Sequence, residues 1–175
     1  SLAFRAFFSI LDLNRFKNSN GLHTNALYSF HRMFKSILDS EKPTHVLVAW
    51  DAGKTTFRTE MYADYKGGRS KTPGEFIEQM PYFNVLLDAW GIPHYRLNQY
   101  EADDIIGTLA RKGEEAGYEV VVLSGDKDLI QLADNNITVK ITTKGVTELV
   151  EYTPEVIFEK YGLTPEQIID MKGLM

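Results

Sequence analysis

Residues 101–128 read EADDIIGTLARKGEEAGYEVVVLSGDKD, and their pattern decides the fold class. The first part carries apolar residues three and four positions apart, the spacing of an amphipathic helix over 101–116. Gly117 ends that helix, and residues 119–123 form a short, nearly continuous apolar run. Such a run is typical of a strand buried on both faces of a parallel sheet. The stretch therefore predicts a helix followed by a buried strand, the repeating unit of an α/β protein.

The same alternation continues on both sides of this stretch. Toward the N-terminus, the sequence predicts a helix over 22–39, a buried strand over 45–50, a helix over 76–90 that Pro81 bends or interrupts, and a strand over 92–97. Toward the C-terminus, it predicts a short helix over 128–133, a hairpin of 137–141 with 146–150, and two helices that begin after Thr153 and Thr164. No internal repeat or domain boundary is evident. We therefore expect one α/β domain over residues 1–175, with a parallel or mixed sheet covered on both faces.

The composition excludes several classes of protein. The sequence has no cysteine, which rules out disulfides and thiolate metal sites and fits a reducing compartment, so we expect a cytoplasmic protein. No apolar run approaches the roughly 20 residues of a membrane span, and the start lacks the pattern of a signal peptide. The net charge is −5, yet residues 54–74 carry five cations against two carboxylates. A basic segment beside an acidic body fits a protein that binds both phosphates and cations.

Three groups of carboxylates lie at the ends of predicted elements. Asp51 directly follows the strand over 45–50, Asp126 and Asp128 follow the strand over 119–123, and three acids open the helix over 101–116. Ligands of open α/β sheets bind outside the carboxyl ends of the strands, so these groups are expected to face one crevice. Each group also has an ordinary interpretation, because carboxylates cap helices and stabilise their first turns.

Six carboxylates in one crevice would repel one another unless cations neutralised them. The candidate metal ligands are Asp51, Glu101, Asp103, Asp104, Asp126 and Asp128. Oxygen ligands without cysteine select hard cations, so we expect Mg²⁺ or Mn²⁺. Two such ions about 3.5–4 Å apart can clamp the attacking and leaving oxygens of a phosphodiester. The sequence therefore predicts a two-metal site that hydrolyses phosphodiester bonds.

The basic segment supplies candidate contacts to a nucleic acid. Lys66 and Arg69 are the candidates for placing positive charge on the side of the phosphate opposite the metal ions. Tyr65, beside them, offers an aromatic face on which an unpaired terminal base can stack. A tyrosine next to a lysine is usually an ordinary surface pair, so the value of this interpretation depends on the carboxylates.

Several ordered motifs give the chain a close resemblance to the 5′-nuclease (5′→3′ exonuclease) domains of bacterial DNA polymerase I, within the flap endonuclease family. The resemblance covers essentially the whole chain. The motifs are SLAFRAFF at 1–8, GLHTNA at 21–26, DAGKTTFR at 51–58, YKGGR at 65–69, YEADDII at 100–106 and SGDKDL at 124–129. The last three are long, ordered and specific.

The resemblance implies a three-layer α/β/α fold of the PIN-like type, with a mostly parallel central sheet. It implies metal-dependent hydrolysis of DNA at 5′ ends and 5′ flaps, in replication and repair, with polymerase domains in the same polypeptide. At matching positions it gives the same six metal ligands, assigns Lys66 and Arg69 to the scissile phosphate, and assigns Tyr65 to the terminal base. It also places Arg5, Lys54 and Arg58 near the DNA strand.

Two departures from the family pattern concern the ends of the sequence. Family members begin with a strand ending in Asp-Gly-x-Ser, whose Asp is a metal ligand, and Ser1 matches that Ser. Residues 171–175 end where the family continues into an aspartate-bearing segment and a helical motif that grips duplex DNA. We therefore interpret the sequence as a catalytic core truncated at both ends, which places the activity of this fragment alone in question.

Two alternatives remain open from the sequence. A PIN-like RNase shares the acidic crevice, and the basic motifs over 51–58 and 65–69 favour the flap family over it. A non-catalytic Mg²⁺-binding or phosphoacceptor module also gathers aspartates at strand ends. Such a module needs neither the basic segment nor so many carboxylates.

Overall fold

The computed structural model describes residues 2–53, 56–61, 71–143 and 146–175. The chain divides into two compact units, one of Ala3–Ile105 and one made chiefly of Ile106–Met175. The expectation of a single catalytic core over residues 1–175 stays a prediction. Among the helices in the described ranges, none combines the length and hydrophobicity needed to cross a bilayer.

The first unit contains helices and a two-stranded parallel sheet. Its elements, with the helix that begins at its end, are α1 Leu2–Phe8, α2 Asn25–Glu41, β1 Val48–Trp50, α3 Phe57–Met61, α4 Gly74–Ile77, α5 Met80–Ala89, β2 His94–Arg96 and α6 Ala102–Glu115. In the sheet, Val48 pairs with His94 and Trp50 pairs with Arg96. The predicted helices over 22–39 and 101–116 and the predicted strands over 45–50 and 92–97 are confirmed in type, and both strands are shorter than predicted.

The predicted interruption near Pro81 is also confirmed. The pattern over 76–90 forms two helices, α4 and α5, and Pro81 lies in the first turn of α5. The missing N–H of proline has no hydrogen-bonding partner to lose in a first helical turn. The proline therefore marks a helix start rather than a kink within one long helix.

Aromatic side chains form the core of the first unit. Phe7 contacts Phe76 with ring centroids 5.6 Å apart, and Phe30 contacts Phe83 at 5.1 Å, both edge to face. All four side chains are buried, as is Leu87. Edge-to-face pairs of this kind add to the stability that comes from burying apolar area.

A buried glutamine fixes the start of α2. Gln79 is fully buried, and its Oε1 accepts hydrogen bonds from the N–H groups of Ala26 (2.9 Å) and Leu27 (3.2 Å). Its Nε2 donates to Asn25 Oδ1 (2.8 Å) and to the carbonyl of Glu75 (2.7 Å). The N-cap residue of α2, Thr24, makes no side-chain cap. Gln79 therefore satisfies helix N–H groups that a local cap would otherwise satisfy.

The second unit is built on a three-stranded mixed sheet. Its elements beyond α6 are β3 Val120–Ser124, a 3₁₀ helix Lys127–Leu132, β4 Ile137–Thr142, β5 Leu149–Tyr152, α7 Pro154–Tyr161 and α8 Pro165–Gly173. β3 pairs parallel with β4, and β4 pairs antiparallel with β5. The predicted hairpin is confirmed in type, but its second strand, predicted over 146–150, is Leu149–Tyr152. Residues 144–145 lie outside the described part. The predicted short helix after residue 127 is a 3₁₀ helix.

The predicted α/β class is confirmed, and the described strands refine the sheet. They form two separate sheets, in which two of the three strand pairings are parallel. In β4, alternate residues Ile137, Val139 and Ile141 are fully buried, and they pack with Ile157 of α7 and Ile168 of α8 in one cluster. Alternate burial along a strand places one face on the core. The Thr153 and Thr164 caps predicted for α7 and α8 are both present.

An ion pair in the second unit makes stability depend on pH. The pKa of the Asp134 carboxyl lies below its ordinary 3.8 because Asn135 N–H and then the Arg111 guanidinium donate to it, at 2.8 and 2.7 Å. A depressed carboxyl pKa contributes stability above the unfolded-state pKa, and that contribution disappears as pH falls through the folded-state pKa. We expect urea denaturation of the wild type and of Asp134→Asn to differ at neutral pH, and the difference to shrink below pH 3.8. A difference that stayed constant over this range would contradict the linkage.

Candidate metal and phosphate site

The start of α6 carries three of the predicted metal ligands, and two of them form a hydrogen-bonded turn. Asp104 Oδ2 accepts from the backbone N–H of Glu101 at 3.0 Å. Asp51, which directly follows β1 as predicted, accepts from the N–H of Ala102 at 2.8 Å. Both contacts satisfy N–H groups at a helix start, where negative charge is also favoured by the helix dipole. The ordinary capping interpretation therefore holds for Asp51 and Asp104, and it places them beside Glu101.

A single guanidinium joins two of these carboxylates. Arg58, on α3, donates to Asp104 through both terminal nitrogens, at 2.8 and 2.7 Å, and to Glu101 Oε2 at 3.0 Å. Glu101 is buried, and Asp104 and Arg58 are half-buried. A two-point fork between guanidinium and carboxylate is the strongest geometry available to such a pair. Glu101 and Asp104 thus direct oxygens at one cationic group.

Asp51 and Asp103 face solvent at the same helix start. Both are exposed, and Asp103 lies in the first turn of α6. Their exposure leaves carboxylate surface open to ions in solution. The start of α6 therefore carries a buried carboxylate, Glu101, and an exposed one, Asp103, and the exposed Asp51 contacts it through Ala102.

Asp126 and Asp128 lie in the second unit, just beyond β3. Asp126 N–H donates to Ser124 Oγ (3.0 Å), and Asp126 Oδ1 accepts from the N–H of Asp128 (2.9 Å), so Asp126 caps the 3₁₀ helix. Asp128 pairs with Lys172 of α8, 2.7 Å from Oδ1 to Nζ. The hydrogen bond to Asp128 raises the pKa of the Lys172 ammonium above its ordinary 10.5. Both aspartates are exposed.

The structure brings together part of the predicted metal-ligand set. Glu101 and Asp104 share one cation, and within the described ranges no group of three or more His, Cys, Asp or Glu side chains is placed to hold a metal ion. The convergence of all six carboxylates stays a prediction. Lys54, Tyr65, Lys66 and Arg69 lie outside the described residues, and Arg5 is half-buried in α1.

Two contacts of the site were not predicted from the sequence. Arg58 was expected near DNA, and in the structure it contacts Glu101 and Asp104. Lys172 was not a candidate, and it pairs with Asp128. Each pair joins residues far apart along the chain, and no spacing rule connects them. The excess of acids at the start of α6 is the one feature that could have indicated a cationic partner.

The fold is that of the 5′-nucleases. A crystal structure of bacteriophage T5 D15 flap endonuclease, in a pseudo-enzyme-product complex with DNA and metal ions, matches at a TM-score of 0.63 and 24% identity, over 89% of this chain and 60% of that one. The chain belongs to the family described as 5'-3' exonuclease, N-terminal resolvase-like domain, whose model matches residues 1–162. The family's description is that of an exonuclease, an enzyme that hydrolyses phosphodiester bonds.

Two bacterial relatives match along the whole chain. DNA polymerase I of Bacillus subtilis (strain 168) is 61% identical over 175 residues, which is 100% of this chain and 20% of that protein. DNA polymerase I of Streptococcus pneumoniae (strain ATCC BAA-255 / R6) is 59% identical over 176 residues, with the same two shares. The chain thus spans about a fifth of the length of these relatives. The predicted resemblance to the nuclease domain of this polymerase is confirmed.

Proposed function

We propose that the chain is the 5′-nuclease part of a DNA polymerase I and hydrolyses DNA at 5′ ends and 5′ flaps during replication and repair. The observation that carries the proposal is the family match over residues 1–162, in a chain 61% identical to one such polymerase. The DNA and metal ions in the T5 D15 structure, which shares the fold, agree with a DNA substrate. The partners of this chain would then be DNA and the polymerase domains of the full-length protein. The protein would act in the cytoplasm.

The carboxylate side chains of the site are suitable ligands for divalent cations. Glu101 and Asp104 offer only carboxylate oxygens, and their shared contact with the Arg58 guanidinium supports a role as joint ligands of a cation. Hard oxygen donors select Mg²⁺ or Mn²⁺. The proposed ligands are Asp51, Glu101, Asp103, Asp104, Asp126 and Asp128. Two bound ions would supply hydroxide from water and stabilise the departing oxygen of the phosphodiester.

The remaining site residues would bind and position the substrate. Lys66 and Arg69 would contact the scissile phosphate and stabilise the charge that develops on it. Tyr65 would stack on the terminal base, which selects an unpaired end. Arg5, Lys54 and Arg58 would bind the phosphate backbone, where their contribution weakens as salt concentration rises.

A substrate comparison tests the proposal against the PIN-like RNase. The full-length protein with Mg²⁺ or Mn²⁺ is given equal amounts of 5′-flap DNA and single-stranded RNA of the same sequence. We expect cleavage of the flap and little cleavage of the RNA, because the basic segment matches the flap family. Faster cleavage of RNA than of flap DNA would reject the proposed substrate.

Lys66→Ala should slow the chemical step more than it weakens substrate binding. Loss of one positive charge at the reacting phosphate removes transition-state stabilisation, with an expected drop in kcat of about a hundredfold. Single-turnover cleavage of flap DNA at saturating protein measures the chemical step, and fluorescence anisotropy measures binding. Lys71→Ala, in the same basic stretch, is the matched control. A raised Kd with normal turnover at saturation would remove Lys66 from the catalytic group.

A further inference from the structure

The contact between Arg58 and the start of α6 is a well-formed ion pair with two carboxylates. Three N–H···O bonds of 2.7–3.0 Å connect one guanidinium to two carboxylates that are more than forty residues away in sequence. The guanidinium carbon also lies 4.6 Å from the ring centroid of Phe57, and that ring contacts Tyr100 with centroids 5.6 Å apart. The aromatic pair orients the guanidinium toward the carboxylates.

The negative charges of Glu101 and Asp104 require a cation beside them. The side chain of Glu101 is only 10% exposed, and Asp104 is close enough to share one guanidinium with it. Two neighbouring carboxylates, one of them buried, are stable as anions only when a positive group compensates them. Arg58 supplies a positive charge to both carboxylates.

The guanidinium and a divalent cation would use the same two carboxylates. Arg58 donates to Glu101 Oε2 and to both carboxylate oxygens of Asp104, and these two residues are proposed metal ligands. Two positive groups at one pair of carboxylates repel each other strongly in a half-buried setting. Occupancy by one therefore disfavours occupancy by the other.

We propose that Arg58 is a resident counter-cation that a divalent metal ion must displace from Glu101 and Asp104. This inference rests on the proposed function, since it takes these carboxylates as metal ligands. The displaced guanidinium becomes available to bind a phosphate of the DNA, which reconciles its position in the structure with its expected role beside the DNA strand. Metal binding and DNA binding are then coupled through one side chain.

Metal affinity, measured without DNA, tests the displacement. Titration calorimetry of Mn²⁺ into the full-length protein compares the wild type with Arg58→Gln and Arg58→Lys. We expect Arg58→Gln to bind Mn²⁺ about tenfold more tightly, because no guanidinium has to leave the carboxylates. Arg58→Lys keeps the charge and loses the fork, so its affinity should fall between the two. Arg111→Gln, which breaks the ion pair with Asp134 instead, should leave Mn²⁺ affinity unchanged.

The outcomes separate this inference from the proposed function. Glu101→Gln should weaken Mn²⁺ binding. If it does so while Arg58→Gln and Arg58→Lys bind Mn²⁺ no more tightly than the wild type, the metal site stands and the displacement is wrong. If Glu101→Gln and Asp104→Asn both bind Mn²⁺ as the wild type does, the metal site itself is wrong and the displacement is overturned with it. Should Arg58→Gln fail to fold, as judged by its circular dichroism, Arg58→Lys decides.

Discussion

Asp126→Asn in the full-length protein is expected to lower cleavage of 5′-flap DNA by about a thousandfold or more. Asp126 is a proposed metal ligand, and loss of one ligand would remove several kcal/mol of transition-state stabilisation. Binding of the same DNA should change little, since Asp126 contributes negative charge and no direct attraction to phosphate. The amide oxygen of asparagine can still accept from the N–H of Asp128, so the cap of the 3₁₀ helix is preserved. The loss is therefore expected in chemistry and not in folding.

Single-turnover cleavage and DNA binding by anisotropy, measured on the same preparation, separate these effects. Asp39→Asn is the matched control, because Asp39 is an exposed carboxylate that pairs with Lys35 on α2. It should cleave as the wild type does. Normal turnover by Asp126→Asn at saturating metal would show that Asp126 is not a ligand. Parallel loss of cleavage and of thermal stability would assign it a structural role instead.

Gln79→Leu is expected to lower the free energy of unfolding by roughly 3 kcal/mol, because burying polar groups without partners is costly. The substitution removes four hydrogen bonds at once, two to N–H groups of α2 and two from the side-chain amide. Leucine has a similar volume, so the change in packing contributes less than the loss of these partners. The effect should be concentrated in the first turn of α2, whose N–H groups lose their acceptor.

Urea denaturation measures the free energy, and hydrogen exchange locates the weakened amides. Gln131→Leu is a suitable control, because Gln131 is half-buried and donates one bond, to a carbonyl three residues away. Its cost should be within about 1 kcal/mol. Equal destabilisation by both substitutions would mean that the buried hydrogen bonds of Gln79 contribute no more to the free energy of unfolding than the single bond of Gln131. Faster exchange in elements other than α2 would place the defect elsewhere.

The sequence predicted most elements of the fold because their periodicity is local. The apolar stripe of α6 and the buried run of β3 are each readable within one stretch of chain, and the Thr-Pro pairs announce the starts of α7 and α8. Strand ends were less predictable. Residues 45–47 continue the apolar run of β1, yet pairing with β2 begins at Val48. Pairing depends on a partner strand that a single stretch of sequence does not show.

In the candidate site, too, local positions were predictable and tertiary contacts were not. The positions of Asp51 after β1 and of Asp103 and Asp104 in the first turn of α6 followed from local pattern and are found there. The partners were not predictable, because the contacts of Arg58 with Glu101 and Asp104 and of Lys172 with Asp128 depend on tertiary packing. Charge balance at a buried carboxylate demands a partner without naming it.

The hydrogen bond from the Ala102 N–H to Asp51 makes the exchange rate of this amide proton a measure of the position of Asp51. Its amide proton is shielded only while the carboxylate stays in place, so any ligand that draws Asp51 away speeds the replacement of that proton by deuterium. Deuterium uptake at the backbone nitrogen of Ala102 would then follow ligand binding at Asp51 in the absence of turnover. The exchange rate of the Ala102 amide would thus report the binding of a charged ligand at Asp51.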